Sequence, residues 1–329
     1  MRLVLLFVLL LVVTVLSFTV GRYPIHLREL AGIIFFPLTG GEAFWTAQEE
    51  SIFLNVRLPR VLLACLVGCC LSAAGAAYQG VFQNPMASPD ILGASHGAAF
   101  GAALAILFSL GARLTVIWAF AFSLTSIAFV LFISSRARGR KVLSLILSGI
   151  MVSSLFSAAT SFIKLVADPN DQLPAITYWL MGSLAKTRLS SLAFAALPMA
   201  AGLLVLIMLS WQINLLTLSD DEAKTMGVNV FRVRIFVILA ATLITAASVS
   251  VSGMIGWVGL VIPHLARRFT GNNYRWLLPA SMLCGALFML LVDNISRNLL
   301  PVEIPIGILT AFIGAPFFMW LITREEEIV

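Results

Sequence analysis

Apolar runs of about twenty residues recur along the whole chain, at roughly 2–20, 61–82, 91–109, 114–134, 142–166, 190–210, 231–250, 255–268, 276–296 and 305–322. A run of that length matches the thickness of a bilayer's hydrocarbon core as a helix. In that medium every backbone N–H and C=O must find its partner within the protein, which leaves helices or closed barrels. Barrel strands read as ten-residue segments of alternating character, and these runs are continuous, so they predict helices. Composition agrees: 60% of the residues are hydrophobic and only 11% are charged, against about 25% charge in a soluble domain. The expectation is an all-α polytopic membrane protein with about ten transmembrane helices in a lipid bilayer. The run at 255–268 is the weakest, being short and glycine-rich. The first run is longer than a signal peptide's apolar region and ends without a small-residue cleavage pattern, so it reads as the first span.

Lysines and arginines sit between the runs, where they set orientation. With the N-terminus in the cytoplasm, twelve fall inside and eight outside. The inside set contains the dense clusters Arg136, Arg138, Arg140, Lys141 and Arg267, Arg268, Arg275. The outside set is Arg22, Arg28, Arg57, Arg60, Arg113, Lys186, Arg188 and Arg297. The net charge of +6 is therefore a membrane-topology signal and not a nucleic-acid one. Small residues recur every four positions at Gly68, Ser72, Ala76 and Gly80, at Gly93, Gly97 and Gly101, and at Gly307, Ala311 and Ala315. Such stripes let helix backbones approach closely, and they predict a compact bundle.

Catalytic patterns are missing. The chain has no phosphate-binding G-x-x-x-x-G-K-[ST] loop, HExxH, GxSxG or CxxC,. Its three histidines, His26, His96 and His264, are scattered, and all four cysteines lie within apolar runs. No enzyme, cofactor or metal site is expected. A self-sufficient secondary carrier needs an intramembrane carboxylate, for which Asp293 is the obvious start. Arg297 stands four residues on, in the favourable order for a helical ion pair that anchors a helix end. His264 reads as a packed, hydrogen-bonded residue near a broken helix, and Asn84-Pro85 and Ser88-Pro89 as turns.

One polar stretch stands out, Leu218-Ser219-Asp220-Asp221-Glu222-Ala223-Lys224-Thr225-Met226-Gly227-Val228. Ser219 followed three residues later by Glu222 has the form of a capping box, and Gly227 that of a helix stop. A short polar helix between apolar spans, on the cytoplasmic side, presents a surface to a partner.

Three passages resemble the FecCD family, the cobalamin-transporter-like permease subunits of ABC importers. They are RLPRVLLACLVGCCLSAAGAAYQGVFQNPMASPDILGASHGAAFGA (57–102), YWLMGSLA with NLLTLSDDEAKTMGV (178–185 and 214–228), and SGMIGWVGLVIPHLARRF through EIPIGILTAFIGAPFFMWLI (252–322). The resemblance implies a single transmembrane permease domain over 1–329 with the family's permease fold. It implies partners too: a second copy of the chain, two cytoplasmic ATPase subunits and an external substrate-binding protein, with ATP hydrolysed by the separate subunits. Cargo would be a metal chelate such as an iron–siderophore, haem or a cobalamin-like molecule, with a molybdate-type oxyanion as the alternative. The setting would be a bacterial or archaeal plasma membrane, with both termini cytoplasmic. Residues 214–230 are similar to the family's coupling segment, which assigns ATPase contact to Ser219, Asp220, Asp221, Glu222, Ala223, Met226 and Gly227. Ser219 and Met226 stand where relatives often carry Gly and Leu. Arg57, Arg60 and Arg297 match family arginines that meet acidic residues of the binding protein.

Overall fold

The computed structural model describes residues 1–39, 44–137 and 141–325. Arg138 and Arg140 of the basic cluster lie outside them. The described chain is helical: α1 (Arg2–Thr19), α2 (Leu27–Thr39), α3 (Ala47–Ile52), α4 (Leu58–Phe82), α5 (Ala94–Leu107), α6 (Ala112–Arg136), α7 (Lys141–Val166), α8 (Gln172–Leu180), α9 (Leu189–Met208), α10 (Ser210–Leu216), α11 (Asp220–Thr225), α12 (Val230–Ser252), α13 (Val258–Thr270), α14 (Tyr274–Asn298) and α15 (Ile306–Glu325). A π-helical turn, Phe53–Arg57, joins α3 to α4, and a 3-10 turn, Pro89–Leu92, precedes α5.

Each of the ten apolar runs carries a helix. Seven helical segments are long and apolar enough to cross a membrane, namely α1, the continuous Ala47–Phe82, α6, α7, α9, α12 and α14. α5 and α15 are apolar but shorter. The weak eighth run becomes α13, 13 residues long, which at 1.5 Å per residue reaches only about 20 Å. Its short length follows from the Gly253–Trp257 break before it, where Gly253 has φ +70° and its carbonyl accepts from Ser252.

α4 is the central helix, packed by α14, α12 and α13 and buried along most of its length. The small-residue stripes explain how. A Cβ on Gly68 would lie 2.2 Å from the Gly285 carbonyl, and one on Gly75, outside the stripe read from the sequence, only 1.8 Å from that of Gly259. Ser72 donates to the Ser281 carbonyl at 2.8 Å across the same seam. The second stripe works alike, with Gly97 and Gly101 of α5 against the Phe122 and Trp118 carbonyls of α6. The third differs: Gly307 of α15 meets the carbonyls of Met181 and Met254, which belong to loops. α7 packs on α5 and α6, and α15 rests on α13 and α14.

The two ends of α4 define the ends of the molecule. Arg60 lies in its first turn. At the other end Gln83, in the left-handed conformation (φ 50°), stops the helix. Arg2 donates to the Phe269 carbonyl at 2.7 Å, and the Arg268 guanidinium lies over the Trp320 ring. The start of α1 and the far part of α15 therefore share the end where α13 finishes and α14 begins.

Candidate functional site

Two polar constellations mark the two ends of the bundle. The first surrounds α11. Ser219 is its N-cap: the Ser219 hydroxyl accepts from the Glu222 N–H at 3.3 Å, and the Glu222 carboxylate accepts from the Ser219 N–H at 3.0 Å and its hydroxyl at 2.8 Å. These bonds hold the Glu222 carboxyl below its ordinary range. The far end closes with Gly227 at φ +80°. Its N–H reaches the Lys224 carbonyl at 2.9 Å and the Val228 N–H reaches that of Ala223 at 3.3 Å, the paired bonds of a Schellman stop. Both ends of the six-residue helix are thus where the sequence places them.

Its fastening was not legible in the sequence. Gln83 Nε2, from the end of α4, donates to the Leu216 and Leu218 carbonyls at 2.8 and 2.7 Å. Asn214 of α10 donates to the Asn273 side chain at 3.1 Å and accepts from the Tyr274 N–H at 2.8 Å. Arg234 of α12 pairs with Asp220 at 3.0 Å. Ala223 is buried against the bundle, while Asp221, Glu222 and Met226 face outward. Lys224 pairs with Asp221 at 2.9 Å, which raises the Lys224 ammonium above its ordinary value. The product is a fastened, acidic, exposed helix with exposed apolar side chains, Leu218 and Met226, at its two ends. Close by, His264 Nε2 bonds the Pro85 carbonyl at 3.0 Å, tying α13 to the turn after α4. Asn84 and Ser88 form turns as expected, with Asn84 Oδ1 accepting from the Met86 N–H and Ser88 preceding the 3-10 turn.

The second constellation gathers the arginines at the start of α4 and the end of α14. Arg60 Nε pairs with Asp293 Oδ1 and its Nη1 with Glu303 Oε1, both at 2.9 Å. Arg297 Nε lies 3.0 Å from Asp293 Oδ2, an ion pair without hydrogen-bond alignment. Arg297 also donates to Asn294 and to the Ser17 carbonyl. Arg57, released by the π turn, donates to the carbonyls of Phe18, Thr19 and Tyr23. Arg60 and Arg297 thus share Asp293, while Arg57 binds the end of α1 and the turn after it. Arg57, Arg60 and Arg297 are 4%, 4% and 7% exposed, bonded to side chains and carbonyls of the chain itself, while Arg60 Nη2 and Arg297 Nε are buried without a hydrogen-bond partner. An outside partner would reach them only where one of these internal contacts gives way. Asp293 is fully buried between two guanidiniums, the structural anchor and not an open carboxylate. Partners from α1 and from Glu303 could not be seen in the sequence, because nothing in residue spacing brings helices that distant together.

A many-helix membrane bundle with a fastened polar helix at one end and a buried ion network at the other has the makings of a transport permease. The chain belongs to the FecCD transport family, whose model matches residues 9–324. It is 41% identical over 320 residues to the molybdate import system permease protein MolB of Haemophilus influenzae, covering 97% of this chain and 94% of that one. It is 38% identical over 329 residues to the hemin transport system permease protein HmuU of Yersinia pestis, covering 98% and 95%. Among solved structures it matches an inward-facing conformation of a metal-chelate type ABC transporter, with TM-score 0.88, 39% identity and 98% of each chain covered.

Proposed function

We infer that this chain is the permease subunit of a binding-protein-dependent ABC importer, one permease unit throughout, working as a homodimer. It carries a metal chelate (an iron–siderophore, haem or a cobalamin-like molecule) into a bacterial or archaeal cell by alternating access. Two ATPase subunits seat against residues 214–230, where Ser219, Asp220, Asp221, Glu222, Ala223, Met226 and Gly227 form or hold the contact. The observation that carries this reading is the construction of α11: both ends capped, three separate helices fastening it, and its acidic face turned outward. A lever must be rigid toward its own body and exposed toward its partner, and α11 is both. The start of α1 and the far part of α15 lie at the α11 end, and Arg2, Arg267, Arg268 and Arg275 cluster there, which by the positive-inside rule supports reading that end, with both termini, as cytoplasmic.

The external binding protein docks at the opposite end. Arg57, Arg60 and Arg297 form the frame of that surface, and an acidic side chain of the partner reaches Arg60 by displacing Glu303, the most exposed member of the network. Charge pairing of this kind governs encounter rate and register more than affinity.

The deciding experiment is ATP hydrolysis in proteoliposomes holding this chain and its ATPase, with and without loaded binding protein. Stimulation by the loaded protein supports the importer, and the ligand giving the largest effect identifies the cargo. Cargo equilibrating across membranes that hold this chain alone would establish a secondary carrier instead. A second cargo reading, a molybdate-type oxyanion, is favoured by the 41% identity to a molybdate permease over nearly the whole chain. Uptake of labelled molybdate against labelled iron chelate separates the two.

A further inference from the structure

A cavity of about 1150 Å³ opens at the arginine end, between the starts of α6 and α9 and the loops beside them. Arg60, Arg113, Lys186 and Arg188 line it, against one carboxylate, Asp171. Arg60 is committed to Asp293 and Glu303, but its Nη2 is buried without a hydrogen-bond partner. Arg113, Lys186 and Arg188 are exposed, and none is in an ion pair among the described residues.

The backbone adds to this charge. α6 begins after Gly111 and α9 after Arg188, and neither helix has a side-chain cap or an acid in its first turn. The first N–H groups of a helix have no intrahelical acceptor, and together they carry about half a positive charge. Gly111, Ala112, Arg188 and Ser190 all border the cavity, so both starts meet there. Most spans of a bilayer protein could leave such N–H groups to water. Here two converge on one concavity already lined by unpaired cations and an orphaned guanidinium donor. Beyond the rim the lining turns apolar, through Ile117 of α6 and Phe194 of α9, both exposed on helix faces that run away from the polar end.

We propose that this cavity binds a phosphate-type oxyanion, held by Arg113, Lys186 and Arg188 and the first turns of α6 and α9. Such a group comes from an anionic phospholipid headgroup or from free phosphate. The apolar continuation suits the lipid, whose chains lie along Ile117 and Phe194 while the headgroup fills the polar part. The site is independent of cargo and of the ATPase.

The test uses the full chain purified in detergent, titrated with phosphatidylglycerol, with phosphatidylcholine and with inorganic phosphate while thermal unfolding is followed. Phosphatidylglycerol should raise the midpoint and phosphatidylcholine should not. In the variant Arg113→Gln/Lys186→Gln/Arg188→Gln the apparent affinity should fall on the order of a hundredfold, as expected for three cations lost near a headgroup. The variant Arg113→Lys/Arg188→Lys, which keeps the charge, should retain most of the effect and controls for misfolding. A shift with inorganic phosphate alone that the triple variant loses assigns the site to the free anion. No shift with either phosphate source, or an equal shift in the triple variant, overturns the proposal.

Discussion

At the scale of single residues, the fold turns on groups with no room for change. A methyl on Gly75 would sit 1.8 Å from the Gly259 carbonyl, a backbone atom that no rotamer change can move. Gly75→Ala should therefore force α4 and α13 apart and destabilise the bundle by about 1–3 kcal/mol, as for other overpacked cores, seen as a lower thermal midpoint in detergent. Gly227→Ala has free space around it but keeps a positive φ, so its effect should be confined to α11. Asp293 is the other fixed point. Asp293→Ala would leave Arg60 and Arg297 buried without their shared carboxylate, a loss of about 3–5 kcal/mol. Chemical denaturation of the purified chain should show it. The i,i+4 spacing of Asp293 and Arg297 was readable from the sequence. The third member, Arg60, was not, because a contact across 233 positions follows from the packing of α4 on α14.

At the scale of elements, α11 was the most legible part of the chain. Its start, stop and polarity are local properties, written in Ser219, Glu222 and Gly227. Its anchorage through Gln83, Asn214 and Arg234 is tertiary and left no pattern. The cap gives a pH dependence with a definite sign. Because the Glu222 carboxyl is lowered in the folded helix, its stabilising effect is complete above the ordinary carboxylate value and disappears as pH falls through the lowered one. Amide exchange in residues 220–225, corrected for intrinsic rate, should show protection that is flat at neutral pH and lost in acid. Ser219→Ala should raise exchange there about fivefold at neutral pH, the usual size of a lost N-cap, and weaken the acid dependence, the Ser219 N–H still reaching the Glu222 carboxylate. Asp221→Lys with Glu222→Lys should stop substrate-stimulated ATP hydrolysis while the thermal midpoint of the bundle changes little; because Glu222 also closes the cap of α11, Asp221→Lys alone, which leaves the cap in place, isolates the partner-facing charge. Normal transport by the double variant would remove the coupling role. For the arginines, sequence and structure part company. Residue type and position grouped them, and the structure places them at the end opposite α11, but exposure could not be read, because burial depends on α1 and on Glu303 arriving from elsewhere.

At the scale of the whole molecule, the apolar runs anticipated a helix at each of their places, and the run at 255–268 anticipated one that falls short; the runs at 91–109 and 305–322 did not show that α5 and the apolar part of α15 would also be short. α13 is the instructive case: a glycine-rich run predicts a broken element, and the break at 253–257 leaves a helix too short to cross a bilayer. Docking belongs to this scale as well. Arg57→Glu with Arg60→Glu should weaken association with the binding protein in a pull-down from detergent. The matched variant Glu303→Gln, which frees one Arg60 donor without removing the guanidinium, should preserve or strengthen it. If both variants bind as the parent does, the surface lies elsewhere.

α4 has one more consequence. Its 25 residues make a rod of about 37 Å between the ion network and Gln83, which grips the loop before α11. At Gly68 and Gly75 the backbones of α14 and α13 touch it with no side chains between. Interdigitated carbonyls and glycines cannot slide past one another without unpacking, so α4 behaves as a stator. Whatever opens one side of the membrane and closes the other must turn about it. The candidates for the rotor are the helices seated away from it, α7 on α5 and α6, and α15 on α13 and α14.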